Sequence, residues 1–120
     1  MSVFRTREEP EGLVIVLDDA NGLNDFRSDA FRSALYQTVD ALDPPRVAMD
    51  LSRVDYLSSS GVAILVGLKR RIDTKEGKCA LFGCQPNVLD LLRVMRLDQY
   101  LTLVTDESEA LSSLRPISTS

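Results

Sequence analysis

Apolar residues in this chain fall into short runs and helical stripes that alternate along its length. Val3 to Arg7 alternate weakly and predict an edge strand. After a turn at Glu11-Gly12, Leu13-Val-Ile-Val-Leu17 is built of β-branched and aliphatic residues and predicts a strand. Asp18-Asp-Ala-Asn-Gly-Leu-Asn24 is a polar loop, and Asn24 or Asp25 suits the cap of a helix running from about Asp25 to Leu42. Phe26, Ala30, Phe31, Ala34, Leu35, Val39 and Leu42 form its apolar face, and Pro44-Pro45 stops it. Arg46 to Leu51 is apolar enough for a central strand.

A second helix is predicted over roughly Ser59 to Lys75, because Val62, Leu65, Leu68 and Ile72 recur at spacings of three and four. Gly77 suits its C-terminal glycine. Cys79 to Gly83 reads as a strand, and Pro86 opens a third helix with Val88, Leu91, Leu92 and Met95 as its stripe. Leu101 to Val104 is a short last strand, and Asp106 caps a final helix carrying Ala110, Leu111 and Leu114. Strands alternating with helices indicate an α/β layer on a small sheet.

At 120 residues and 44% hydrophobic, the chain has the size and composition of one soluble globular domain. A net charge of −4 with both signs interleaved argues against nucleic acid as a partner, which would need a basic face. The short run Lys69-Arg70-Arg71 reads as the solvated side of a helix. The N-terminus lacks the apolar run of a signal peptide, and no stretch has the length to span a membrane. A cytoplasmic location without membrane insertion is the expectation.

Catalytic chemistry is hard to assemble. There is no histidine, the commonest general base, and no Gly-x-Ser-x-Gly elbow. Gly61-Val-Ala-Ile-Leu-Val-Gly-Leu-Lys69 has the wrong spacing for a phosphate-binding loop, and its interior is a helical stripe. Cys79 and Cys84 lack the histidines or second cysteine pair that a four-ligand zinc site needs, and read as buried thiols of a strand and its exit. Asp18-Asp19, a tight carboxylate pair, suits a solvated loop. No catalytic residue, metal or cofactor is expected.

One feature remains. Ser58, Ser59 and Ser60 precede Gly61 where a strand hands over to a helix N-terminus. Hydroxyls there accept bonds from the orphan N–H groups of the first turn. The same place suits a phosphate, because those groups and the helix dipole favour negative charge. The residues therefore point to a module that binds another protein and can be modified on serine.

The order strand, Ser-Ser-Ser-Gly, apolar helix resembles the STAS domain of bacterial anti-anti-sigma factors, from about Leu13 to Leu114. Val47-Ala-Met-Asp-Leu-Ser-Arg-Val-Asp-Tyr-Leu-Ser-Ser-Ser-Gly61 looks like the family's strand followed by Asp-Ser-Ser/Thr-Gly. Cys84-Gln-Pro-Asn-Val-Leu-Asp-Leu-Leu92 and Asp106-Glu-Ser-Glu-Ala-Leu111 are similar to two further family segments. The resemblance implies an α/β fold with a small mixed β-sheet of four to five strands packed with about four helices, residues 1–120 forming a single domain. It implies an anti-sigma factor antagonist that binds an anti-sigma factor serving also as a serine kinase, and so releases a sigma factor. That kinase phosphorylates the serine after the family's aspartate, and a metal-dependent serine phosphatase reverses the step. Carried over by position, Ser59 is the phosphoacceptor, with Ser60 and Ser58 as fallbacks, and Gly61 matches the glycine. Ser58 stands where the family has aspartate. Asp19, Asn21 and Asn24, in a loop that departs from the family's Gly-Glu-Leu-Asp-like pattern, join Ser58 to Gly61 as expected partner-binding residues. The alternative within the same fold is a soluble adaptor subunit of a lipid-transport ATPase.

Overall fold

The computed structural model describes residues 4–18 and 29–115. The chain runs β1 (Phe4–Glu9), β2 (Gly12–Leu17), α1 (Asp29–Asp40), β3 (Arg46–Asp50), α2 (Ser59–Thr74), β4 (Lys78–Phe82), α3 (Pro86–Val94), a 3-10 turn (Leu97–Gln99), β5 (Thr102–Val104) and α4 (Glu107–Leu114). The five strands form one sheet in the order β1-β2-β3-β4-β5. The β1–β2 pair is antiparallel and the other three pairs are parallel, so the sheet is mixed. This is the expected α/β architecture.

Register explains the two layers. Ile15, Met49, Leu81 and Leu103 are successive cross-strand partners on one face. They join Phe31, Leu35 and Val39 of α1, Val62, Leu65, Leu68 and Ile72 of α2, and Val88 and Leu92 of α3 in the main core. Val14, Ala48 and Ala80 form the adjacent row on the opposite face, under Ala110 and Leu114 of α4. The two alanines let a helix lie close over β3 and β4. At the borders, β1 exposes Arg5, Thr6, Arg7 and Glu8, while β5 has only three residues.

Several expectations shift. The expected first turns of α1, with Phe26 and the cap at Asn24 or Asp25, lie outside the described residues. Of the expected apolar face, Ala30 and Ala34 are exposed, because Phe31, Leu35 and Val39 at four-residue spacing already cover the core-facing stripe. Leu42 lies beyond the helix end but still packs on the core. Met95 is the C-cap of α3 and is 48% exposed, since the chain turns away at Arg96, which has φ of 60°.

The end of α2 is also built differently. Glu76, with φ of 58°, is the left-handed residue. Its N–H donates to Asp73 O and that of Gly77 donates to Ile72 O, completing the two-bond Schellman closure. Gly77 is needed for space: a Cβ there would lie 2.0 Å from Pro45 O.

Candidate functional site

The serine cluster lies at the C-terminal end of the parallel strands, where the β3–α2 loop (residues 51–58) leaves the sheet. Leu51, Val54 and Leu57 recur every third residue and are buried, so they peg the loop to the core. The residues between them are turned outward: Ser52, Arg53, Asp55 and Tyr56 are exposed. The loop begins with the Leu51 N–H donating to Phe82 O at 3.0 Å and the Ser52 N–H donating to the Asp50 carboxylate at 2.9 Å. Gly83, with φ of +73°, passes close beneath; a Cβ there would lie 3.2 Å from the Ser52 Cβ.

The three serines divide their roles by position. Ser58 is the N-cap: its backbone is extended, and its Oγ accepts the Gly61 N–H at 3.1 Å. Its carbonyl accepts the Val62 N–H at 3.0 Å, the first bond of the helix. Ser59 is the first helical residue and is exposed. Ser60 is half-buried, and Gly61 is buried in the first turn. The first turn of α2 carries no acidic side chain, so a negative group arriving at Ser59 meets the positive end of the dipole without a like-charged neighbour in that turn. Four of the expected site residues, Ser58 to Gly61, are thus contiguous at one helix start. Asp19, Asn21 and Asn24 lie outside the described residues.

Other side chains enter the site that sequence reasoning did not select. Tyr56, two residues before Ser58, is 47% exposed, a large ring on a loop whose other apolar residues are buried. The peg spacing of Val54 and Leu57 was the available signal for it. Asp18, at the end of β2, accepts two bonds from the Arg5 guanidinium at 2.7 and 2.8 Å, and Arg53 of the serine loop lies 3.6 Å away. The hydrogen bond from Arg5, helped by the charges of Arg5 and Arg53, holds the Asp18 carboxyl below its ordinary range. No sequence signal marks this three-way tie, because its members belong to three separate segments.

Burial pushes the Cys79 thiol up to about 12 and raises that of Cys84. Among the described residues no three Cys, Asp or Glu side chains converge as a metal site. Among them also, no helix is long and apolar enough to cross a membrane. A cleft of about 460 Å³ between α3, β5 and α4 is lined by Cys84, Arg93, Asp98 and Glu109 among others, and none of its lining residues belongs to the serine loop or to α2.

Comparison with known proteins gives the same architecture. An anti-sigma-factor antagonist (STAS) domain protein from Planctomyces limnophilus superposes with a TM-score of 0.80 at 24% identity, covering 92% of this chain and 97% of that one. The Bacillus cell fate determinant SpoIIAA in its phosphorylated form superposes with a TM-score of 0.65 at 19% identity, covering 93% and 99%. In sequence, an anti-sigma F factor antagonist from Paenibacillus polymyxa is 23% identical over 105 residues, 88% of this chain and 90% of its own length. The model of the STAS domain family matches residues 5–110. A match that begins in β1 and runs into α4 takes in the whole sheet, and on it the chain belongs to the STAS domain family.

Proposed function

We propose that the chain works as a single STAS domain that antagonises an anti-sigma factor, binding it through the serine-bearing start of α2 and the neighbouring loops. The partner is an anti-sigma factor with serine kinase activity, and phosphorylation of Ser59 ends the complex. A metal-dependent serine phosphatase restores it. The protein itself turns over no substrate. The observation that carries this reading is the separation of cap from acceptor: Ser58 holds the helix start, while Ser59 beside it is exposed. A phosphate adds roughly −1.5 to −2 charges at neutral pH. At Ser59 that charge leaves the Ser58 bond intact and changes the surface offered to the partner. The names of the relatives from Paenibacillus polymyxa and Planctomyces limnophilus, and the phosphorylated form of the Bacillus protein, support the same reading.

The test is incubation of the protein with ATP and an anti-sigma factor serine kinase from the same host, followed by phosphosite mapping by mass spectrometry. Phosphate on Ser59, absent in Ser59→Ala, is the expected result. Phosphate on none of Ser58, Ser59 and Ser60 would remove the switch from the proposal.

A further inference from the structure

Two side chains at the start of α3 reach across to the serine loop. Gln85 is the N-cap of α3, yet its side chain makes no capping bond. Its Nε2 instead donates to Ser52 O at 3.0 Å. Pro86 follows at the first helical position, where it lacks one of the N–H groups a cap would serve. Asn87, in the same first turn, donates from Nδ2 to Asp55 O. Both carbonyls lie in the exposed stretches between the pegs: Ser52 follows Leu51, and Asp55 follows Val54. The apolar pegs fix where the loop touches the core. The amides fix the two spans that the pegs leave free.

Residue chemistry makes this a clamp of a particular kind. A backbone carbonyl needs a donor, and Asn and Gln offer neutral amide donors on short stems with no charge to draw water in. Carboxylates of the same shape, ionised at neutral pH, accept only and would face the carbonyls as repelling groups. Holding two carbonyls from one helix turn orders the backbone leading to Ser58 without adding to the core.

We infer that Gln85 and Asn87 are positioning residues for the acceptor serine, holding the β3–α2 loop in the conformation in which Ser59 is presented to its partner. The inference rests on Ser59 being the acceptor, as proposed above, and its first test does not. Releasing the clamp lowers the fraction of molecules with a competent loop, and apparent affinity falls by that fraction while the bound complex reacts as before.

The first measurement is native-state cleavage by chymotrypsin after Tyr56, mapped by mass spectrometry on the full chain. Each neutral hydrogen bond holds by a factor of roughly two to ten, so cleavage in the Gln85→Ala/Asn87→Ala variant should be about tenfold faster than wild type. Gln85→Glu/Asn87→Asp, which keeps the shape and loses the donors, should behave likewise. Cleavage after Tyr100, 39% exposed and outside this loop, should stay near wild type, while the urea midpoint falls by about 0.5–1 M, the shift that a tenfold loosening carries into global unfolding. Unchanged cleavage after Tyr56 would overturn the clamp, and a general rise at both tyrosines would reduce it to ordinary stability. The second measurement is phosphorylation by an anti-sigma factor kinase from the same host, with a several-fold rise in KM at constant kcat expected for both variants. Equal KM in a protein whose loop is loosened would overturn the positioning role. Wild-type protein left unmodified at Ser59 would refute the acceptor assignment and the positioning role built on it, while the chymotrypsin rates would still decide the clamp.

Discussion

Ser58 and Ser59 are neighbours with the same side chain, and the structure assigns them opposite consequences when they are changed. Ser58→Ala removes the Oγ that accepts the Gly61 N–H at 3.1 Å, leaving that donor in a buried first turn. Loss of such a cap costs about 1 kcal/mol, within a range of roughly 0.5–2. With unfolding entropy of about 2.1 cal/mol/K per residue, a domain of this size loses about 4 °C in Tm for each 1 kcal/mol. Ser59→Ala removes an exposed hydroxyl at the first helical position and replaces it with a better helix former, so its effect should stay within about 0.5 kcal/mol. Ser58→Asp keeps a capping oxygen and adds negative charge at the positive end of the dipole, and should match or slightly exceed wild type. Urea unfolding of the three variants beside wild type gives the comparison, with a midpoint shift of about half a molar expected for Ser58→Ala alone. Equal losses in Ser58→Ala and Ser59→Ala, or no loss in the first, would refute the division of roles on which the proposed switch depends.

Leu65 is 2% exposed in the main core, so Leu65→Ala should cost about 2–5 kcal/mol in urea unfolding. A Cβ at Gly67 would lie 2.3 Å from Tyr36 Oη, so Gly67→Ala should destabilise by about 1–3 kcal/mol despite its better helix propensity. Tyr36→Phe forfeits only the 3.3 Å bond to Ile64 O and should rescue part of that loss; strictly additive effects in the double variant would contradict the packing. With its thiol pushed up to about 12, Cys79 should react with iodoacetamide at pH 8.5 about a thousandfold more slowly in native protein than in urea, as peptide mapping of the alkylated thiol would report. Ser59→Asp should weaken anti-sigma factor binding in a pull-down or calorimetric titration while Tm stays near wild type.

Much of the fold was legible because its signals are local. The stripe Val62-Leu65-Leu68-Ile72 identifies the buried face of α2, Pro86 its position at the start of α3, and Asp106 a cap that does accept the Glu109 N–H at 2.9 Å. Gly77 misled because glycine serves two needs, left-handed backbone and close approach, and only the second applies there. The site was legible where chemistry and sequence position coincide, at Ser58 to Gly61. Gln85 and Asn87 were not, since their bonds join segments more than thirty residues apart and polar residues at a helix start look like ordinary caps. Nor was the placement of α4, where Ala48 and Ala80 are small for the sake of a helix that arrives last.

The borders of the sheet bear on how the protein survives at high concentration. An open strand edge is a template for another chain, and long apolar edges seed aggregates. Here β1 presents the exposed Arg5, Arg7 and Glu8, with Arg7 tied across to Glu107, so a second copy pairing along it would have to strip charged side chains from water. At the opposite border β5 offers only three residues, too few bonds to hold an incoming strand. One border resists growth by charge and the other by brevity. Contact through the loops at the strand ends, the surface proposed for the partner, would open neither border to polymerisation.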